Sequence, residues 1–556
     1  MGKTIIIKQP QQRKVIPEVI TFRNHIKSFA DQENFDASRY AYSINLLNDV
    51  DGVLATARLT FTSAIGPAGL NIGHNQFYNL MKIKLAVGSI ITIKMDSKNI
   101  KPDFLGMIDR IYESKIADSS SVGRTVNINC SLLLPKMLIK DSIPNSPVLS
   151  SDDTYLKDKI GEQRLKFWTY LRGANIDKKE DYPFNKAPIE GIKWVLKNMP
   201  GTNIDNSPFR ETIAAMIDSN ATDEDYLPFF NFKMLNSEIM FDPSSSVFFG
   251  TVYEYIRKFL DNYFYEMFFD TVKGRNGAAY NSMTIRTKPY TYRDLDNAGQ
   301  NWQHWEDLDT VVFNSKYRTR EELGTDEFDL KNFFSTTYTS SLIANQDTAL
   351  GKLGVMFPII NLESIKEYGL RELAVNSTNL NIRGLTDEIV KKIENREAPT
   401  KEEEGKEFKW LLEKRDKVYQ WNVCNELFEK GTLTALGNSE YKIGRKLFYA
   451  DKEYYYPFKD SLDGNGKEQH NFTGVEYYIK SVVNNWTYGA EWLTTMQLTR
   501  GQAKDVIYGH IRALEKANVI YKKNNLNTKA VTPIETNAER DAADKELEEF
   551  YKMHME

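Results

Sequence analysis

One three-part pattern occurs twice in this chain, near its start and near its end. The first copy runs from Val87-Gly88 into "SIITIKM" and continues as "FLGMIDRIYES" and "TVNINCSLLL". The second begins at Ile443-Gly444 and continues as "EYYIKSVVNNWTY" and "EWLTTMQLTR". Alternating and β-branched runs of this kind predict strands. Any two antiparallel meanders share such alternation, but the common order of three elements favours a duplicated β unit.

A glycine stands at the same place in both copies. Gly88 and Gly444 lack a Cβ and can take the φ and ψ values that a strand needs to bend sharply into a closed barrel. Gly106 is a third candidate for such a bend. The predicted fold class is therefore α+β, with two similar small antiparallel β-barrels, a largely helical insertion between them and a C-terminal helix.

The length of the chain requires several domains. A chain of 556 residues and 64.2 kDa is too long for one core, so we expect at least three domains. Changes in residue pattern along the chain predict the boundaries of these domains. They are an N-terminal arm over 1–35, the first barrel over 36–140, the helical insertion over 151–345, the second barrel with an embedded helix over 346–502, and a C-terminal helix with an acidic tail over 503–556.

Helical periodicity appears in three places. It predicts one helix early in the insertion, a second that is apolar on most of its circumference, and a third, charged helix that Gly431 would end. The residues that mark these helices are, in turn, Leu156, Ile160, Phe167 and Leu171; Val252, Ile256, Phe259, Tyr263 and Met267; and Leu412, Tyr419, Val423 and Leu427.

Composition argues against several classes of protein. The net charge is −4, and cations are interspersed with anions, which is not typical of a surface that grips DNA strongly. Two cysteines, Cys130 and Cys424, cannot build a disulfide framework or a four-cysteine zinc site. No apolar run is long enough for a signal-peptide core or a membrane span.

A search for catalytic or metal-binding patterns gives weak candidates. Six histidines show no zinc-like spacing, and the loop Asp460 to Gly466 fails the calcium-loop pattern. Trp302, Trp305 and the carboxylates up to Asp309 could serve a sugar site, although a structural aromatic cluster is favoured. We therefore expect no enzyme activity, no catalytic residues, no cofactor and no metal.

The order of elements resembles the baseplate hub family of phage tails, which includes the N-terminal part of type VI secretion spike proteins. The resemblance covers about 36–140 and 345–502. It rests on "VGSIITIKM", "DFLGMIDRIYES", "TALGNSEYKIGRKLFY" and the phrase with Tyr368, Gly369 and Arg371 that introduces the second barrel.

The resemblance implies a structural role in the virion, after assembly in the host cytoplasm. Hubs of this family are homotrimers whose six barrels join a six-fold tail tube to a three-fold spike, around a channel for genome ejection. The implied partners are the tail tube protein, a spike or tip protein, the tape-measure protein, DNA in transit and, as a further candidate, baseplate wedge proteins. Two alternatives remain: a tail-associated cell-wall or polysaccharide hydrolase, and a carbohydrate- or receptor-binding module.

Overall fold

The computed structural model describes residues 5–6, 19–23, 35–52, 55–62, 74–95, 103–118, 121–140, 142–143, 192, 230–233, 250–258, 260–273, 279–295, 302–338, 358–377, 406–455, 471–503, 506–511 and 514. Strands dominate this part of the chain. In chain order they are β1 Ile5–Ile6, β2 Val19–Arg23, β3 Phe35–Asp36, β4 Ala41–Asp49, β5 Thr56–Thr62, β6 Ile90–Lys94, β7 Phe104–Asp118, β8 Ser121–Leu132, β9 Ser142–Ile143, β10 Phe230–Lys233, β11 Gly250–Thr251, β12 Tyr265–Lys273, β13 Ala279–Thr287, β14 Thr310–Phe313, β15 Arg318–Gly324, β16 Phe333–Tyr338, β17 Ile359–Ile360, β18 Glu372–Ser377, β19 Glu429–Leu436, β20 Lys446–Tyr455, β21 Asn471–Thr487 and β22 Leu493–Ala503.

Helices are fewer in the described part. They are α1 His74–Lys84, α2 Leu133–Lys140, α3 Val252–Lys258, α4 Leu362–Tyr368 and α5 Lys406–Asn422, and residues 506–511 are also helical. None of the described helices is long and apolar enough to cross a membrane.

Two sets of five strands share one arrangement. In the first unit (β4 to β8) the spatial order is β4-β5-β8-β7-β6, and in the second unit (β15 and β19 to β22) it is β15-β19-β22-β21-β20. Every neighbouring pair within each unit is antiparallel. If the strands of each unit are numbered along the chain, both orders read first, second, fifth, fourth, third. The repetition predicted from the sequence is therefore a repetition of strand order.

The two units also agree in local detail. The N–H of Gly88 donates to the carbonyl of Ile108, and Ile108 donates back to Ser89; Gly444 and Arg445 make the same exchange with Ile479. One residue after each isoleucine, the register shifts by a bulge, which falls between Ile108 and Arg110 in β7 and between Ile479 and Ser481 in β21. An extra residue at a bulge bends the strand and increases its twist.

Strand β21 joins the two units. On one edge it pairs with β22 along most of its length; on the other edge it pairs first with β20 and then, from Ser481 to Thr487, with β4 of the first unit. Fourteen strands thereby form one hydrogen-bonded system, in which β14 and β1 extend the edge at β20 and β2 and β3 extend the edge at β6. The described ladders do not close into rings, so the two closed barrels stay a prediction.

The β12–β13 hairpin packs against both units. The N–H of Leu105 in β7 donates to Thr271 Oγ1 at 3.1 Å, and Asn281 Nδ2 donates to the Leu105 carbonyl at 3.1 Å. On the other side, Arg286 donates to the carbonyl of Gly444 at 2.7 Å. The hairpin, which β10 extends to a three-stranded sheet, therefore bridges the two units.

The helical prediction is wrong from 260 to 267, and Phe259 lies outside the described residues. Helix α3 ends at Lys258, the chain turns at Asp261, and Met267 lies in β12, which pairs with β13 along its whole length. Met267, Phe268 and Phe269 are all buried. A strand that is buried on both faces has no polar alternation, so its apolar run resembles a buried helix.

The described part of the predicted helical insertion is mostly strand. Its described residues between 250 and 338 form β11 to β16, one α-helix, α3, and four short 3-10 helices. The early helix marked by Leu156 to Leu171 lies outside the described residues, as do the loop Asp460 to Gly466 and the tail from Glu539. Between the predicted first barrel and the predicted insertion, Ser142–Ile143 is described and pairs with β11.

Gly431 does not end a helix. Helix α5 ends at Asn422, and Gly431 lies in β19 with φ 144°. A Cβ at this position would stand 1.9 Å from the carbonyl oxygen of Glu322 in β15. Glycine is therefore required by the close approach of two strands, which the local sequence does not reveal.

Candidate functional site

A largely polar face crosses both units of the joined sheet. One of its rows is apolar at the junction, where Val483 of β21 pairs with the exposed Leu47 of β4. The face runs over β15, β19, β22, β21, β4, β5, β8 and β7. Because side chains on directly paired residues of an antiparallel sheet project to the same side, the register identifies the members of this face. One row reads Asn485, Asn45, Arg58, Asn129 and Arg110; the next reads Thr487, Ser43, Thr60, Asn127 and Tyr112.

Hydrogen bonds between side chains confirm that these residues share a face. Thr60 Oγ1 donates to Asn127 Oδ1 at 2.9 Å, Asn45 bonds Asn485, and the hydroxyls of Thr434 and Thr495 lie 3.1 Å apart. The Asn45–Asn485 bond crosses the junction between the units. The polar face is therefore continuous there.

The opposite side of the same strands is the core. Ile44, Leu59 and Ile128 of the first unit and Leu433 and Met496 of the second are buried. Strict alternation of buried and polar residues follows from the two-residue period of a strand. The polar face is consequently a solvated surface backed by a continuous apolar layer.

A buried charge cluster lies where the hairpin meets the second unit. Arg286 Nε is 2.5 Å from Glu266 Oε1, and the Tyr478 hydroxyl donates to Glu266 Oε2 at 2.7 Å. Burial by itself would lower the pKa of Arg286, but the Glu266 carboxylate outweighs it and raises that pKa above its usual range. Arg286 also donates to the Gly444 carbonyl, so the predicted bend at Gly444 is part of this cluster.

The three glycines predicted as bends occupy different environments. Gly88 and Gly444 have φ of 87° and 75°, in the left-handed region that favours glycine. Gly106 is not of this kind: it lies near the start of β7, where a Cβ would stand 2.4 Å from the carbonyl oxygen of Ser131. Whether the three bend closed barrels stays a prediction.

The residues of the family-like phrase lie between helix α4 and strand β18, beside the small three-stranded sheet β17-β16-β18. Tyr368 ends α4, and Gly369 follows it with φ 74°. The buried Asn332 side chain donates to the Gly369 carbonyl at 2.7 Å and accepts from the Arg371 N–H at 2.7 Å. Arg371 also pairs with Glu327 at 3.0 Å. The phrase therefore has a structural role that its sequence alone did not specify.

The tryptophan cluster is part of the core. Trp302 and Trp305 are 2% and 4% exposed. The indole of Trp302 donates to Glu413 at 2.7 Å and that of Trp305 to Glu476 at 2.8 Å. A sugar-stacking platform needs an exposed ring face, so these tryptophans do not offer one, and the structural interpretation is favoured.

Asp307 of the same segment pairs with Arg293 at 2.5 Å. Among the described residues, no group of three or more histidine, cysteine, aspartate and glutamate side chains could hold a metal ion. Both cysteines are free and buried, and burial raises the pKa of each thiol well above its usual value.

Sequence reasoning missed the polar face and the hairpin. The segments "TVNINCS" and "SVVNNWT" carry a signal for the face, because polar residues recur at every second position, with Val483 as the exception. The hairpin residues Glu266, Asn281 and Arg286 carried no such signal, since their partners are distant in the chain.

Comparison with known proteins gives similarities of fold. No protein-family model matches this chain, and no curated protein matches it. Among solved structures, a tail protein from Neisseria meningitidis MC58 matches at 7% identity, covering 88% of this chain and 97% of its own, with a TM-score of 0.37. The prophage tail protein gp18 from Listeria monocytogenes EGD-e matches at 9% identity over 90% and 99%, with a TM-score of 0.37.

A third match is an E. coli component of the type VI secretion system, described as structurally similar to the T4 bacteriophage tail proteins gp27 and gp5. It is 8% identical, with coverage of 84% of this chain and 74% of its own and a TM-score of 0.31. All three matches have TM-scores below 0.5.

Proposed function

We propose that this chain is a structural hub protein of a phage tail or a related injection machine, of the baseplate hub family. It assembles as a homotrimer, joins the hexameric tail tube to a trimeric spike, and forms part of the channel for genome ejection. The observation that carries the proposal is the repeated strand order: two units with the same five-strand arrangement, joined edge to edge through β21 and β4.

Duplication addresses a mismatch of symmetry. A ring of three chains, each with two alike units, presents six alike units in a circle, whereas its other surfaces keep three-fold symmetry. A repeated head-to-tail contact closes into such a ring when its rotation matches the number of copies. A hexameric tube can then dock on one side and a trimeric spike on the other.

The polar face suits the inner surface of the ring. Its two central rows hold asparagine, threonine, serine, tyrosine and two arginines, without a carboxylate. Such a surface stays hydrated. Because it carries few charges, its electrostatic attraction for a passing polymer is weak. The continuity of the face across β21 and β4 would make the wall of the channel continuous within each chain.

The outer edge of β15 is a candidate contact between copies. In the described part, β15 pairs only with β19, and five of its seven residues are exposed, including Arg320 and Glu322. Native proteins place charges on such edges to prevent unspecific pairing. In the proposed ring, the neighbouring copy covers this edge.

The mass of the purified protein in solution, together with two-dimensional electron-microscopy averages of the same sample, tests the proposal. We expect about three times 64.2 kDa and a ring with six similar lobes. A monomer at every concentration up to that of the microscopy sample, without rings, would contradict it. Tail tube, spike, tape-measure and wedge proteins are the partners to test next by co-purification.

A further inference from the structure

Two arginines stand on either side of one asparagine on the polar face. Arg58 of β5 pairs directly with Asn129 of β8, and Asn129 pairs directly with Arg110 of β7. Neighbouring strands lie about 4.8 Å apart, so the two arginine Cα atoms are separated by about 10 Å, with Asn129 between them. Both arginines are exposed, and both belong to the same row of the face.

No described carboxylate forms an ion pair with either arginine. The nearest in the chain, Asp109, precedes Arg110, pairs with Lys136 at 2.7 Å and accepts from Ser131. Arg58 pairs across to Asn45 on its other side, which is again an amide. Arg110 lies over the ring of Tyr112, with its guanidinium carbon 5.1 Å from the ring centroid. By contrast, Arg320 at the far end of the face is held by Glu322 at 2.5 Å. Arg58 and Arg110 therefore stand without an ion-pair partner on a face whose other charges, Asp49, Arg320 and Glu322, lie in other rows.

The chemistry of the three side chains matches a phosphate group. A guanidinium offers two parallel N–H donors that fit two phosphate oxygens, and it keeps its charge at all physiological pH values. Two such groups about 10 Å apart can approach one phosphate from opposite sides, while the amide of Asn129 can donate from below. An exposed aromatic ring beside them, Tyr112, adds a surface on which a base can stack.

We propose that Arg58, Asn129 and Arg110 form a phosphate-binding site on the polar face, and that its occupant is the phosphodiester backbone of nucleic acid. The choice of nucleic acid rests on the proposed function, in which this face lines the channel for the genome. The phosphate chemistry itself rests only on the three side chains and their register.

The second unit lacks the site. The bulge in β21 places Ser481 at the position that corresponds to Arg110. Gln497 pairs with Ser481 and corresponds to Asn129, and Thr432 pairs with Gln497 and corresponds to Arg58. None of these three residues is a cation. The site therefore occurs once in each chain, and three times in a trimeric ring, so that contact with the polymer is sparse. Sparse contact agrees with a channel that guides a polymer without retaining it.

The test is binding of a fluorescein-labelled single-stranded oligonucleotide to the full chain at low salt, measured by fluorescence anisotropy. The variants are Arg58→Gln, Arg110→Gln and the double variant. The matched control is Arg293→Gln, an exposed arginine in a turn outside the polar face. Each single variant should weaken binding about threefold. Each should also lower the slope of log affinity against log salt by about 0.7. The control should change neither.

Competition with inorganic pyrophosphate distinguishes two ligands of the site, the phosphodiester backbone of nucleic acid and a free phosphate compound. If the oligonucleotide binds through the two arginines and pyrophosphate displaces it, the proposal stands. If pyrophosphate protects the wild-type chain against thermal unfolding but not the double variant, while the oligonucleotide does not bind, the nucleic-acid occupant is refuted. Equal oligonucleotide binding by the double variant and the wild type would overturn the site. These outcomes do not depend on whether the chain is a trimer, which the mass measurement decides separately.

Discussion

Replacing Gly444 with alanine is expected to destabilise the protein more than the same replacement at Gly88. Both glycines have positive φ, so alanine at either site costs about 1–2 kcal/mol of backbone strain. At Gly88 nothing lies within 4 Å of the added Cβ. At Gly444 the Cβ would stand 2.5 Å from the Phe268 ring and 3.0 Å from an Arg286 nitrogen.

The neighbours of Gly444 must therefore move. Displacing a packed side chain costs about 1–3 kcal/mol, and the Arg286 bond to the Gly444 carbonyl is put at risk as well. We expect a total loss of about 2–5 kcal/mol at Gly444, against about 1–2 kcal/mol at Gly88. Valine should enlarge both losses because it is β-branched.

The free energy of unfolding by urea, measured for both alanine variants and the wild type, checks this difference. Ring assembly by electron microscopy serves as a second readout. Equal losses of stability in the two variants would refute the steric argument, because the backbone strain is common to both.

Three other predictions concern buried groups. Burial raises the pKa of Glu426 to about 7, so stability should fall by about 3 kcal/mol as pH rises from about 4.5 to 7, and urea unfolding of Glu426→Gln should not show that loss. Asp261→Asn removes the partner of the buried Lys414 at 2.8 Å and should cost about 3–5 kcal/mol by the same assay; a loss below about 1 kcal/mol would contradict it. Cys130 and Cys424 should react with a thiol reagent only after unfolding, and rapid labelling of the native protein would refute this.

Strand positions were largely predictable, and helices were less so. The segments around β4 to β8 and β19 to β22 were expected as strands, because each has a period of two and clear turn residues. The strand β12 was mistaken for helix because Met267, Phe268 and Phe269 are buried together and leave no polar alternation. The alternation of polar and apolar residues reflects which side of an element is exposed to solvent. It therefore cannot distinguish strand from helix where both sides of the element are buried.

The candidate site was predictable only in part. The glycines 88 and 444 were found from the repeated pattern, and both take positive φ. The charge cluster at Gly444 could not be predicted from the sequence, because Glu266 and Arg286 reach it from a hairpin far away in the chain. The same holds for the site at Arg58, whose neighbour Asn129 is brought beside it by strand pairing.

The sequence by itself determined that two alike β units exist and where most of their strands lie, because these properties depend on local alternation and on glycine. Only the tertiary structure decided that β21 pairs with β4, that the polar faces of the two units are continuous, and that Arg58 and Arg110 share one row. Register between strands is set by contacts among residues distant in the chain, and a shift of one residue would turn every side chain to the other face.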